Sequence, residues 1–317
     1  MSPRKIILDC DPGQDDAVAL FLAMSSPDEL EILGITCVAG NVPLNLTERN
    51  ARMMCDIAGK TGLPVFAGGA RPMQREPVTA EHIHGRTGVD GVDIYEPTTP
   101  LQEQHAVDFI IAALLAADDD SVTLVPTGPL TNIGTAIQRE PSILSRIREI
   151  ALMGGAMREG GNRSPSAEFN ILVDPHAADI VFNCGRPVMA MGLDVTHQVL
   201  STRERVNRIK SLGNPVADAT AGMLSFFHRH DTKKYGSEGA PLHDPCTVAY
   251  LLQPELFQSK ACNVSVETES ELTMGHTAVD FWHVTDRPVN ARWVYAVDAD
   301  GFYDLLNERL SRFGESQ

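Results

Sequence analysis

Short apolar runs alternate along this chain with segments whose apolar positions recur every three or four residues, the pattern of strands handing over to helices. Ile6-Ile7-Leu8 opens the series as a buried strand, and a helix from about Asp15 to Ser25 follows, stopped by Pro27. The β-branched run Glu31–Val38 predicts a second strand ending at Gly40-Asn41. Leu46 to Ala58 places Ala51, Met54, Cys55 and Ala58 on one helical face, closed by Gly59 and Gly62, before the brief strand Val65–Ala67. The same alternation predicts a helix over Gln104–Ala117, a strand at Val122–Val125, a helix from Leu130, a strand at Ile150–Met153, a helix over Asp174–Phe182 and a strand at Val188–Met191. Repeated βαβ units imply an α/β fold with an open, mainly parallel sheet and helices on both faces. In such sheets ligands bind at the carboxyl ends of the strands. From about Ser201 to Asp231 the pattern is helical and more polar, and Ala261–Val297 reads as short strands with turns before a last amphipathic helix, Asp298–Phe313. Without an internal repeat or a Pro/Ser linker, the expectation is a single domain over residues 1–317 with helical and small β appendages.

The polar residues gather at the expected strand ends. Asp9, Asp11, Asp15 and Asp16 follow the first strand, Asn41 the second, Thr127-Gly128-Pro129-Leu130-Thr131-Asn132 the strand at Val125, Gly154-Gly155 the one at Met153, and Asp194 the one at Met191. Turns and helix caps account for Asn41, Thr131 or Asn132 taken singly. They do not account for the aspartates, since a cap needs one carboxylate and leaves the others uncompensated near a core. That cluster predicts a site for a metal and a polyol, with Ca²⁺ or Mg²⁺ as the ion and Ca²⁺ the better match to a crowded oxygen shell. Two more segments carry chemistry: Glu168 and Asn170, two residues apart in an apolar approach to the helix at Asp174-Pro175, and His243-Asp244 directly before an apolar helix over Cys246–Leu252. For the latter pair, a capping Asp and a surface His are the competing explanation. His82 and His84 lie in a Gly-rich stretch with no third soft ligand nearby, which argues against zinc and for a mobile loop near the site.

Charge narrows the partners. The formal net charge of −16 disfavours a nucleic-acid backbone or an anionic membrane and favours a neutral or cationic small molecule. Asp118-Asp119-Asp120, the longest acidic run, reads as a solvated turn. The six cysteines form no CxxC pair and sit among apolar neighbours, as reduced buried thiols do, which points to the cytoplasm. The N-terminus shows no cleavable apolar leader, and no stretch has the length and apolarity of a membrane span.

Read together, the motifs resemble those of the nucleoside hydrolases of the inosine-uridine-preferring type. Asp9-Cys10-Asp11-Pro12-Gly13-Gln14-Asp15-Asp16-Ala17 matches the family's DxDPGxDDA signature, and Val38-Ala39-Gly40-Asn41, Pro126–Asn132, Leu152–Ala156, Ala167-Glu168-Phe169-Asn170 and His243-Asp244-Pro245 follow in the family's order across nearly the whole chain. The resemblance implies a Rossmann-like α/β fold, a homodimer or homotetramer, a bound Ca²⁺ and a ribonucleoside substrate. It would assign the ion to Asp11, Asp16, the Thr127 carbonyl and Asp244, the ribose 2′-OH to Asp15, and the 2′- and 3′-hydroxyls to Asn170 with Asp244. Glu168 and Asn162 would hold the 5′-OH, with Met153, Asn41 and Phe169 also in the substrate pocket and His84 and Tyr235 against the base.

Hydrolysis of an N-glycosidic bond requires an activated water, support for an oxocarbenium-like transition state and help for a poor leaving group. The resemblance implies that Ca²⁺ orients and acidifies the water, Asp11 takes its proton and His243 protonates the departing base as an imidazolium. His243 aligns the chain with relatives that accept inosine and uridine or prefer pyrimidines. Two rival readings remain: a Mg²⁺-dependent phosphatase of the haloacid-dehalogenase type, disfavoured because Pro12-Gly13 follows the DxD and no Gly-Lys-Ser/Thr phosphate cradle is present, and a non-catalytic nucleoside or ribose sensor, which has no use for Asp11 and His243.

Overall fold

The computed structural model describes residues 2–235 and 238–314, with the side chains of 227–235 outside that description. Among the described residues the strands are β1 (Arg4–Cys10), β2 (Leu30–Cys37), β3 (Val65–Ala67), β4 (Leu101–Gln102), β5 (Val122–Pro126), β6 (Ile147–Met153), β7 (Val188–Met191), β8 (Leu200–Thr202), β9 (Gly239–Pro241), β10 (Phe257–Val266), β11 (Thr277–Asp280) and β12 (Ala291–Val297). The α-helices are α1 (Gln14–Met24), α2 (Leu44–Ile57), α3 (Glu81–His84), α4 (Ala106–Leu115), α5 (Thr131–Arg139), α6 (Phe169–Val173), α7 (Pro175–Phe182), α8 (Leu193–Thr196), α9 (Arg203–Lys210), α10 (Pro215–Tyr235), α11 (Pro245–Leu252) and α12 (Ala299–Ser311).

Ten strands form one sheet in the order β11-β10-β12-β7-β6-β5-β1-β2-β3-β4, and β10 alone runs against the rest. Period-two alternation gives each strand two buried faces. Ile6 and Leu8 pack with α1 and α2 on one side, while Ile7 packs with α4, α5 and α7 on the other. Helix α1 is buried along its entire length, as a helix apolar on every side must be. It touches α2, α10, α11 and α12.

The chain lays β1 to β4 outward in one direction and β5 to β7 in the other, so the order reverses between β1 and β5. Loops leaving two strands at such a reversal diverge to opposite faces and open a crevice at their carboxyl ends. Into that crevice fall the segment after β1, with Asp11, Asp15 and Asp16, and Thr127 after β5.

The predicted core elements are present, with boundaries shifted by a few residues. Three features differ from the expectation. The strands expected as a β appendage continue the main sheet: β12 pairs in parallel with β7, Arg292 opposite Met189 and Trp293 opposite Ala190, and Trp293 is fully buried there. The stretch expected to be helical from Ser201 begins inside β8, which pairs with β9 and brings residues 239–241 beside 200–202. Finally, residues 81–84 form the short helix α3, not a loose loop. All six cysteines are free, and five of them are buried. No helix among the described residues is long and apolar enough to cross a membrane.

Candidate active site

Three helix N-termini and several strand ends converge on one cavity of about 720 Å³, lined by Asp11, Asp15, Asn41, Ile83, His84, Thr127, Met153, Asn162, Arg163, Glu168, Phe169, Asn170, His197, His243 and Asp244 among others. A helix N-terminus carries partial positive charge and free N–H groups, which is why carboxylates are tolerated here. Asp15 and Asp16 occupy the first turn of α1, Asp244 precedes α11, and Glu168 caps α6.

Carboxylate oxygens of Asp15, Asp16 and Asp244 lie within 4.8 Å of one another, and all three residues are buried. Asp16 is the braced member. Its Oδ1 accepts from Thr127 Oγ1 at 2.7 Å and its Oδ2 from the Gly13 N–H at 3.0 Å, which closes the first turn of α1. Asn41 braces the neighbouring pair: its N–H donates to Asp11 Oδ2 at 2.7 Å, and its Nδ2 donates to the Asp11 carbonyl at 3.1 Å and to Asp16 Oδ2 at 3.2 Å. Two glycines make room for this packing. A Cβ on Gly40 would collide with the Asp11 carboxylate, and one on Gly128 would lie 2.5 Å from Asp11 Oδ1, so the loops after β2 and β5 close on Asp11 only without side chains.

What remains unsatisfied is informative. Asp11 Oδ1 and Asp15 Oδ1 are buried and have no hydrogen-bond partner. Burial, then repulsion from Asp16 and Asp15, holds the Asp11 carboxyl well above the usual range; burial, then Asp16, pushes Asp15 to about 7. Burial, followed by the fields of Asp15, Asp16 and Asp11, also raises Asp244 well above the usual carboxylate range. Carboxylates that destabilise each other's charge while leaving lone pairs unused are the donor set of a hard divalent cation and of hydroxyl donors. The residues therefore fit such an ion.

Asp9 belongs to the other face of β1, beside Ile7, and serves the scaffold. Its Oδ1 accepts from Thr36 Oγ1 at 2.6 Å and from Asn132 Nδ2 at 2.8 Å, tying β1 to β2 and α5. Asn132 in turn accepts from the Gly69 N–H at 2.8 Å, and the Thr127 N–H donates to the Asp9 carbonyl at 2.8 Å. Asn132→Ala removes one of the two donors to a buried carboxylate and should cost about 1–3 kcal/mol, a drop of several degrees in melting temperature by calorimetry.

At the opposite wall, Glu168 accepts backbone N–H bonds on both oxygens, from Asn170 at 2.9 Å and from Gly155 at 2.9 Å, and burial pushes it to about 7. Asn170 Nδ2 donates to the Thr127 carbonyl at 2.6 Å and to the Met153 carbonyl at 3.1 Å, so the carbonyl expected on the ion is engaged by the amide expected on the sugar. Asn162 Oδ1 accepts from the Phe169 N–H at 3.0 Å. Asp194 lies apart from the cluster's work and accepts the N–H groups of Met157 and Arg158.

Histidines line a third side. His84 is not on a loose loop: it is buried, with Nδ1 2.8 Å from Gln14 Oε1, while Gln14 Nε2 donates to the His84 carbonyl at 2.9 Å. His243 Nδ1 lies 2.7 Å from Thr196 Oγ1. Burial first, then the charges of His197 and His84, lowers His243 to about 3. Tyr235, expected against the base, lies outside the described side chains. Sequence reasoning did not single out Gln14, Arg163, Thr196 or His197. Gln14 sits inside the aspartate motif and Thr196-His197 follow Asp194 at a strand end, and in both places the carboxylates drew the attention.

The profile of the family described as inosine-uridine preferring nucleoside hydrolase matches residues 6–304. The chain is 48% identical over 311 residues to the pyrimidine-specific ribonucleoside hydrolase RihA of Photobacterium profundum, covering 98% of this chain and 99% of the relative. Among solved structures it is similar to the purine-preferring ribonucleoside hydrolase from Gardnerella vaginalis, with a TM-score of 0.91, 34% identity and coverage of 98% and 99% of the two chains. A plant nucleoside hydrolase, PpNRh1, also superposes with a TM-score of 0.91, at 29% identity over 98% of this chain and 99% of that one.

Proposed function

Because the chain belongs to the inosine-uridine preferring nucleoside hydrolase family, we propose that it hydrolyses ribonucleosides to ribose and free base in the cavity between β1 and β5, with pyrimidine nucleosides preferred and Ca²⁺ as the resident ion. The observation that carries this reading is the pair of unpartnered, buried oxygens on Asp11 and Asp15 within a group of four carboxylates. The preference for pyrimidines rests on the similarity to the pyrimidine-specific relative and on His243.

Asp11, Asp15, Asp16 and Asp244 would hold the ion together with the Thr127 carbonyl. When bound, a hard divalent cation supplies the charge that keeps these carboxylates ionised and makes neighbouring water more acidic. Asp11 then accepts the proton of the attacking water at Oδ1, while its Oδ2 stays fixed by the Asn41 N–H. Asp15, with Asn170 and Asp244, receives the 2′- and 3′-hydroxyls; Glu168 and Asn162 receive the 5′-hydroxyl, and Met153, Asn41 and Phe169 complete the sugar wall. The carboxylates beneath the ring favour positive charge developing on the ribose. His243, its Nδ1 2.7 Å from the Thr196 hydroxyl, would serve as the leaving-group acid for the departing base. His84 and Tyr235 would border that base. The same reading carries a homodimer or homotetramer, nucleoside salvage and a cytoplasmic location as expectations.

Reducing-sugar release from uridine, cytidine, inosine, adenosine and guanosine tests this directly. Ribose should appear from uridine and cytidine and should not appear after chelation of divalent ions. Binding of nucleosides without turnover of any would favour a sensor, and phosphate release from nucleotides alone a phosphatase.

A further inference from the structure

Gln14 opens α1 between Gly13 and Asp15, and it is fully buried. Unlike its neighbours it carries no charge, yet its amide is engaged at both ends, and by a single distant segment. Nε2 donates to the His84 carbonyl at 2.9 Å and to the Asp90 carbonyl at 3.3 Å, while Oε1 lies 2.8 Å from His84 Nδ1. The amide cannot be turned over, because Oε1 would then meet two carbonyl oxygens. An amide oxygen only accepts, so Nδ1 of His84 carries a hydrogen whatever the charge of the ring. Two further observations hold the imidazole in this place. A Cβ on Gly13 would lie 2.5 Å from His84 Nδ1 and 2.8 Å from Cε1, so the ring rests directly on the turn that leads into α1. Asn50 Nδ2 donates to the Pro12 carbonyl at 3.0 Å and to the Thr87 carbonyl at 2.8 Å, which joins the same two segments a second time.

We propose that Gln14 is a positioning residue for the base: it holds His84 with its hydrogen on Nδ1 and in fixed register with Asp15 and Asp16 on the same turn of α1. This rests on the hydrolase reading above, in which His84 borders the base. The cavity is lined by His84 and not by Gln14, so the amide acts through the ring. An uncharged residue between two site carboxylates thereby ties the wall that meets the base to the floor that receives the ribose.

Gln14→Met keeps the length of the side chain and removes its hydrogen bonds to residues 84 and 90. The test compares uridine with a 4-nitrophenyl riboside, which brings the same ribose and no pyrimidine. The substitution should lower kcat/KM on uridine about tenfold and leave the aryl riboside within about threefold of the parent enzyme, because only the base loses its oriented neighbour. Added to His84→Ala, it should change uridine kcat/KM by less than about twofold, since the two residues act as one unit. Equal losses on both substrates would place the effect on Asp15 and Asp16 instead, and additive losses in the double variant would separate Gln14 from His84; either result overturns the proposal. If Gln14→Met does not fold, the parent enzyme still decides. Long-range proton–nitrogen NMR of protein with labelled histidine, the His84 signal being the one missing from His84→Ala, should show a protonated Nδ1, and an unprotonated Nδ1 overturns the proposal. Uridine turnover by the parent enzyme is the separate control, because its absence would overturn the hydrolase reading itself.

Discussion

Asp11→Asn should lower kcat for uridine by about three orders of magnitude, within the range of general-base contributions of roughly 10²–10⁴, and should leave the fold intact. The substitution isolates the proton-accepting role because an asparagine Oδ1 can still accept from the Asn41 N–H, which holds Asp11 at 2.7 Å. What disappears is the basic oxygen, Oδ1, that has no other partner. Stability responds in the opposite direction. Asp11 stands among buried carboxylates that raise one another's pKa, so removing one charge relieves repulsion, and the melting temperature of the metal-stripped variant should exceed that of the metal-stripped parent. Turnover of uridine by Asp11→Asn at the parent rate would end the role assigned to this residue.

The second large effect is the coupling of stability to cation and to pH. Asp9, Asp15 and Glu168 are each pushed up to about 7 from ordinary values of 3.8, 3.8 and 4.5, in every case by burial first. A group whose pKa is raised on folding binds its proton more tightly in the folded state than in the unfolded one. The associated stability is complete below about pH 4 and is lost as pH rises through about 7. Metal-free protein should therefore melt at progressively lower temperature from pH 5 to pH 8, and each unit of displacement is worth about 1.4 kcal/mol. A divalent cation reverses the trend for the carboxylates that hold it. At a thousandfold excess over its Kd, a ligand of the folded state contributes about 4 kcal/mol, equivalent to a rise on the order of 10 °C. Scanning calorimetry with Ca²⁺ and with chelator at both pH values should show the gap widening toward pH 8. A gap that is absent, or that narrows with pH, would exclude a cation bound by ionised Asp15, Asp16 and Asp244.

Much of this site was readable before any coordinates. Residues within one motif announce themselves: four aspartates after an apolar strand cannot all be caps, and in the structure one of them, Asp16, is the cap while Asp15 and Asp11 keep free oxygens. Parallel βαβ order followed from period alone, and with it the rim that carries Asn41 and Thr127, whereas Asp244 joined them only through the family resemblance. Less legible was anything decided by pairing across long sequence distance. The return of β12 to β7 depends on which strand edge Trp293 fits, and no local pattern states that. The donors to Asp9 lie 27 and 123 residues away, so they could not be named from the sequence. The surroundings of His243 were also out of reach, because its burial and the proximity of His197 and His84 are properties of the folded cavity. His197 itself was missed, since a histidine after a short helix carries no signal until β8 and β9 bring residues 239–241 beside 200–202 and His243 to its side.

The cavity is made of two kinds of wall. Asp11, Asp15, Asp16, Thr127 and Asp244 stand at strand ends and at the starts of buried helices, locked by Asn41 and by glycines that admit no side chain. Ile83, His84, Asn162, Arg163 and His197 come from short helices and connecting loops along the rim. Changes to the first set break a lattice of contacts shared with the sheet, while the second set is tied to short elements outside it, as Asn162 is to the Phe169 N–H. Over evolutionary time such a molecule would drift asymmetrically, its bond-breaking apparatus passed down unaltered with the sheet and its choice of base revised repeatedly at the rim.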